Sequence, residues 1–537
     1  MSNKLLCHLM ALGCALAACG DDEQETGQSD AAVTATPAPG HAGSGSAGKP
    51  ARDAGTKPRD AGTESRDAAM DAAMDASMNR DASAPGDEAD AATGAPPTHE
   101  RAQDGRTYMV DEAALAFEGL PNADAWSGKL GNAGYRIEVP KAWNGILVMY
   151  AHGYAGTGNV LNVTTPSIRE YLINNGYAWA ASSYSANYYD VRAGVEDTNA
   201  LALEFTALAA KNGRMLEAPR KRYLIGHSMG GHVTGAAIER EARETAVHKV
   251  EYDGAVPMCG VMGDTQLFNF FTAFQWAAEK LAGVPYTTGP VSDPAALRMQ
   301  LQAALFKTYP TELTWAGVKL RDLVRNLTGG ARSNFDQGYA TKQWQDALWT
   351  TVGGDGTING ILAKPVTDTR EIVYQFDADP AINAEERAFN DEIHRSTPEP
   401  DANGLRSDGL RWIPQVNGEF EIPVVAMHTL GDLYVPFKMQ QIYRQRAQEK
   451  GSETWLTQRA IRGTGHCEFT IAEQVSAFEA MVRWEQDGVR PDSDEVLDPA
   501  AVSSATYGCK FTDNTFTDQE RQRGLPEARM LVEACTP

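Results

Sequence analysis

From residue 135 onward, short apolar runs bounded by turn residues alternate with stretches whose apolar residues recur at helical spacing, and this alternation constrains the fold more than any other feature. Strands are expected at 135–139, 145–150, 177–182, 222–225, 254–258, 424–428 and 455–461. Amphipathic helices are expected at 167–174, 196–211, 233–243 and 469–486. Runs that are apolar throughout must be buried on both faces, and strands separated by helices run parallel. The expected fold class is α/β, a mostly parallel sheet with helices on both faces. In such sheets, chemistry sits in the loops at the carboxyl ends of the strands.

One of those loops carries a motif. After the run at 222–225 comes Gly226-His227-Ser228-Met229-Gly230-Gly231, then a helical stretch. In a chain with 50 glycines, Gly-x-Ser-x-Gly alone is a weak signal. Between an apolar strand and an amphipathic helix it describes a sharp turn, in which Gly226 and Gly230 remove side chains that would collide and Ser228 projects above the sheet at a helix N-terminus. A glycine-rich helix start with a capping serine is the competing interpretation. The segment resembles the nucleophile elbow of the α/β-hydrolase superfamily, and the resemblance extends over about residues 108–488, apart from an insertion. It implies the α/β-hydrolase fold, a serine nucleophile, a histidine base, an acid that orients it, and an oxyanion hole of backbone amides.

Of ten histidines, His8, His41, His99, His248 and His394 lie outside the expected loops, and His227 and His232 are too near Ser228 along the chain to turn back on it. His466, in Gly463-Thr464-Gly465-His466-Cys467-Glu468 after the last strand, matches the superfamily's base; His428 is its rival. Gly431-Asp432-Leu433-Tyr434-Val435-Pro436 resembles the superfamily's acid loop, with Asp264 the alternative, and the order Ser228, Asp432, His466 is the expected one. Tyr150-Ala151-His152-Gly153-Tyr154 resembles the HG-type oxyanion loop, implying the amides of Tyr154 and Met229 as donors and a structural place for His152.

Near the start of the chain Lys4 is followed by an apolar run at 5–18, which closes on Leu16-Ala17-Ala18-Cys19. The run is shorter than the roughly 20 residues a membrane span needs, so it reads as an export signal. Its ending resembles the lipobox of bacterial lipoproteins, which implies cleavage before Cys19, its lipidation, and, with Gly20 following, an outer-membrane or surface location. Ordinary signal cleavage with Cys19 incidental is the alternative. Residues 20–105 are rich in Ala, Asp, Gly, Ser, Thr and Pro and repeat Arg-Asp-Ala at Arg52, Arg59, Arg66 and Arg80, with no apolar stripe; a disordered tether is expected. The net charge of −23 disfavours nucleic-acid binding. Residues 20–100 carry 16 acidic against 6 basic side chains, so about half of that charge belongs to the tether.

Once Cys7 and Cys14 leave with the signal and Cys19 takes lipid, Cys259, Cys467, Cys509 and Cys535 remain, and four cysteines allow three pairings. Cys509 with Cys535 is expected because both lie in the tail, and Cys259 with Cys467 because that bond would hold the histidine loop against the sheet. Tannases and fungal feruloyl esterases carry a similar His-Cys pair, but there the partner cysteine precedes the nucleophile, where this chain has His227.

Ser228 and Asp432 are 204 residues apart with one core step between them. The expected organisation is a lipoprotein signal at 1–19, the tether at 20–105, an α/β-hydrolase core at 106–264 and 419–490, a largely helical cap at 265–418, and a disulfide-closed tail at 491–537. The cluster Phe268, Phe270, Phe271, Phe274 and Trp276 reads as cap core or as the wall of a substrate pocket, and 401–408 faintly resembles a calcium loop but fits a polar turn better. The function expected is that of a carboxylic ester hydrolase working through an acyl-enzyme on a small-molecule or polymeric ester. Neither metal nor organic cofactor is implied, and membrane contact would come only through the N-terminal lipid. A secreted peptidase or amidase and a non-catalytic binding lipoprotein are the alternatives; no Glu-Glu pair in the insertion stands out as a peptidase's amine site.

Overall fold

The computed structural model describes residues 106–289, 291–353 and 361–535. The expected signal, Cys19 and the tether lie outside the described residues. Eight strands form the central sheet: β1 (Ala123–Leu130), β2 (Ala133–Pro140), β3 (Ile146–Ala151), β4 (Ala178–Ser182), β5 (Lys221–His227), β6 (Gly254–Met258), β7 (Val424–Thr429) and β8 (Leu456–Ile461). Their order is β1-β2-β4-β3-β5-β6-β7-β8, antiparallel where β2 meets β1 and β4 and parallel elsewhere. β1 was not among the expected strands. Its sequence, Ala-Asp-Ala-Trp-Ser-Gly-Lys-Leu, is mostly small and polar because it is a half-buried edge strand with no need of a continuous apolar run.

The inner strands are buried on both faces, which explains their unbroken apolar runs. Along β3, Leu147, Met149 and Ala151 face one core while Ile146, Val148 and Tyr150 face the other. Helices α1 (Arg169–Asn174) and α11 (Ile471–Asp487) cover the second face; α2 (Val191–Lys211) and α3 (Met229–Ala237) cover the first. Each fully buried Leu, Ile or Val contributes about 1.5–3 kcal/mol, so the two cores account for much of the fold's stability.

The helix expected over 233–243 is broken. α3 ends at Ala237, Glu239 is extended (φ −65°, ψ 150°), and a separate short helix runs Arg240–Thr245. The cause is tertiary: the buried Glu239 carboxylate accepts from the amides of Gly418 and Glu419, both at 2.8 Å, where the insertion rejoins the core.

The insertion carries α4 (Gln266–Ala282), α5 (Pro294–Leu305), α6 (Trp315–Leu327), α7 (Phe335–Ala340), α8 (Lys342–Trp349) and α9 (Ala384–Glu392), and the described residues all fall in one compact unit. Phe268, Phe270, Phe274 and Trp276 are buried in its core. Residues 401–408 form a surface turn, with Asp408 paired to Arg406 and Arg192. Helix α10 (Lys438–Lys450) lies between β7 and β8.

The C-terminal segment lines the free edge of β8. Gln458 N–H donates to Ser493 Oγ, Asp494 N–H to the Gln458 carbonyl and Ala460 N–H to Asp494 Oδ2, at 2.7–2.9 Å. Backbone groups that could pair with another chain are thereby taken up. Both expected disulfides, Cys259–Cys467 and Cys509–Cys535, are formed.

Candidate active site

Ser228 sits between the last residue of β5 and the first of α3, with φ 57° and ψ −120°, a conformation non-glycine residues rarely adopt. Close packing maintains it. A Cβ at Gly226 would lie 2.2 Å from the Gly230 carbonyl oxygen, and one at Gly230 would lie 2.0 Å from that of Ala151. The Ser228 amide donates to the Met258 carbonyl at 3.0 Å, tying the turn to β6.

His466 Nε2 lies 2.7 Å from Ser228 Oγ, and its Nδ1 lies 2.6 Å from Asp432 Oδ2. The other Asp432 oxygen accepts the amides of Tyr434 (2.9 Å) and Val435 (3.0 Å). Asp432 is fully buried while Ser228 and His466 are each 7% exposed, so the carboxylate is shielded from water and the serine end can meet a ligand. Three residues widely separated in sequence thus form one relay. The histidine loop is held from several sides: Glu468 Oε2 accepts from the amides of Thr464 (2.7 Å) and Gly465 (2.8 Å), and Thr429 Oγ1 donates to the Gly465 carbonyl at 2.6 Å.

His227 pairs with Met258 across the β5–β6 ladder, so Cys259 stands beside Ser228, its Sγ 3.3 Å from the Ser228 amide. The Cys259–Cys467 bond therefore anchors the histidine loop from the strand next to β5. Cys259, His466 and Cys467 bring ligand-type atoms close together, but the two sulfurs are bonded to each other and offer no thiolates to a metal.

The rival residues are otherwise engaged. His428 donates from Nε2 to the Val435 carbonyl at 2.7 Å and packs behind Asp432, 3.7 Å from Oδ2. Asp264 accepts from Arg446 at 2.6 Å and from the Val416 amide at 3.1 Å, joining the insertion to α10. His227 donates to Gln474, and His232 accepts from Tyr189 while donating to the Pro414 carbonyl. His152 donates to the Gly153 carbonyl and stacks on Tyr184 at 4.0 Å. A Cβ on Gly153 would lie 3.3 Å from Ser228 Cβ, so the loop leading to Tyr154 runs against the serine, next to Met229 at the start of α3.

Burial pushes the His428 imidazole down to about 4, so it is neutral at pH 7. The unfolded chain takes up that proton near 6.5 and the folded one near 4. Stability due to this group is therefore present above 6.5 and lost as pH falls, on the order of 2 kcal/mol between pH 7 and pH 5. Urea unfolding of wild type and His428→Gln at the two pH values should show a flatter pH dependence in the variant. Equal slopes would refute this account.

Of the site's other neighbours, only Phe271 carries a sequence signal, as one of the aromatic cluster read as cap core or pocket wall. Tyr434 stands edge-on to His466 (5.8 Å) and stacks on Phe271, so one ring of the α4 cluster packs on a neighbour of the histidine. The Trp344 indole occupies the space a Gly465 Cβ would need, closing to 1.9 Å. Arg332 donates to the Leu430 carbonyl at 2.6 Å, two residues before Asp432. Phe271, Trp344 and Arg332 come from the insertion, more than 80 residues from the loops they touch.

The strand order with an antiparallel second strand, the elbow after the fifth strand, and the acid and histidine loops after the seventh and eighth define an α/β-hydrolase fold. No family model matches the chain. An o-phthalyl amidase of Xanthobacter agilis is 22% identical over 432 residues, covering 69% of this chain and 89% of the amidase. Feruloyl esterase B from Aspergillus oryzae superposes with a TM-score of 0.37 at 17% identity, over 69% of this chain and 81% of the esterase. Thermogutta terrifontis esterase 2 gives a TM-score of 0.33 at 13% identity, over 70% and 98%.

Proposed function

We propose that this chain is a serine hydrolase that works through an acyl-enzyme and prefers carboxylic esters. The observation that carries the proposal is the continuous relay from Ser228 Oγ through His466 to the buried Asp432. Ser228 Oγ attacks the substrate carbonyl as His466 Nε2 takes its proton, and Asp432 keeps the Nδ1 proton in place and stabilises the imidazolium. The amides of Met229 and Tyr154 receive the oxyanion. His466 then protonates the leaving alcohol, the bond to the acyl carbon breaks, and a water activated by the same histidine releases the acid and restores Ser228. The slight exposure of Ser228 and His466 favours a small-molecule substrate.

Amide hydrolysis is the second reading, because the Xanthobacter agilis relative is an o-phthalyl amidase. A fluorophosphonate probe should label wild type and not Ser228→Ala, and p-nitrophenyl esters should turn over faster than anilides. An unlabelled, folded wild type would sink the hydrolase proposal; faster anilide turnover would replace esterase with amidase. Export and lipid anchoring through Cys19 are supported by the signal-like start and by two disulfides, which persist in oxidising compartments. Recovery of the labelled protein in the membrane fraction for wild type and in the soluble fraction for Cys19→Ala is the expected result; equal partitioning would exclude the anchor.

A further inference from the structure

The C-terminal segment does more than cover the free edge of β8 with Ser493 and Asp494; farther along, it reaches the histidine loop. Arg529, 4% exposed, makes a forked pair with Glu473, Nη1 to Oε1 at 3.0 Å and Nη2 to Oε2 at 2.7 Å. The same Nη2 donates to the Glu468 carbonyl at 2.5 Å, two residues past His466. Glu468 is the residue whose carboxylate gathers the Thr464 and Gly465 amides, so the guanidinium holds the peptide unit from which the histidine loop is braced.

Other contacts converge on the same place. Glu473 also accepts the amides of Thr470 (2.8 Å) and Asp513 (3.0 Å), and Glu520 accepts that of Ile471 at 2.5 Å, so two tail residues meet the start of α11. Arg462, just before the loop, donates to the carbonyls of Ala505, Tyr507 and Glu533. The Cys509–Cys535 bond closes the segment on itself. A buried ion pair adds little stability over well-packed apolar groups, but its directional bonds fix geometry. Here that geometry belongs to the loop carrying His466.

We infer that the tail is a clamp on the histidine loop and that Arg529 is a positioning residue for His466. The inference rests on the acyl-enzyme reading above, and fluorophosphonate titration keeps the two separable: an unlabelled wild type would overturn that reading, whereas the clamp is judged on kcat per titrated site. A misplacement of about 1 Å costs on the order of 100-fold in rate, so Arg529→Ala should lose roughly 10- to 100-fold in kcat per labelled site. Its KM should stay within about 3-fold, because a loss confined to positioning the base leaves ground-state binding intact. Arg529→Lys, which keeps the charge but not the fork, should fall between. Guanidinium at tens of millimolar should restore part of the Arg529→Ala activity.

A purely structural role predicts fewer labelled sites, an unchanged kcat per site and no rescue, and that outcome would overturn the clamp. If Arg529→Ala fails to fold, Arg529→Lys decides: lowered kcat per site with unchanged KM supports the clamp, and wild-type kcat overturns it.

Discussion

Ser228→Ala should lower kcat against a p-nitrophenyl ester by about 10⁶, the scale seen when a hydrolase relay loses its nucleophile. The replacement removes the oxygen that the proposed mechanism makes the nucleophile and leaves everything that positions it. The elbow is held by the contacts of Gly226 and Gly230 and by the Ser228 amide, none of which involves the hydroxyl. Folding and KM should therefore stay near wild type. Because the relay acts as a unit, adding His466→Ala to the serine variant should cost little more. A residual kcat within about 100-fold of wild type would mean that Ser228 is not the attacking group.

Asp432→Asn should cost about 10⁴ in kcat with an unchanged fold, for a reason that the hydrogen bonds determine. One Asp432 oxygen faces two backbone N–H donors, from Tyr434 and Val435, so the asparagine carbonyl must take that side. The amide NH₂ then faces His466 Nδ1 and donates to it. That enforces the tautomer with the proton on Nε2, pointing at Ser228, and this imidazole cannot accept the serine proton. The loss should fall on kcat at neutral pH with KM preserved. Asp264→Asn, which alters an ion pair with Arg446, should instead change stability and leave kcat per folded site intact. Similar kcat losses in both variants would sink the assignment of Asp432.

The elbow could be read from sequence because its requirements are local. Within six residues, glycines must sit where Cβ atoms would strike backbone, and the strand before and helix after must have their own periodicities. His466 and Asp432 were legible because the loops that carry them, each following an apolar strand, resemble the superfamily's histidine and acid loops; it took the hydrogen bonds of His428 and Asp264 to set those rivals aside. β1 was missed because a half-buried edge strand needs no apolar run. The break at Glu239 was missed because a helical pattern was overridden by two amides belonging to residues about 180 positions later.

The strand-and-helix grammar and the elbow follow from sequence alone, since periodicity and steric demand act over a few neighbouring residues, whereas Asp432 and His466 were read from loops that resemble the superfamily's. Tertiary packing places Cys259 beside Ser228, stacks Phe271 on Tyr434, and sets Arg529 against the loop behind His466. Those contacts join residues 31 to 163 positions apart, and at such separations no local pattern survives; what brings them together is the packing of a complete sheet with its insertion and its tail.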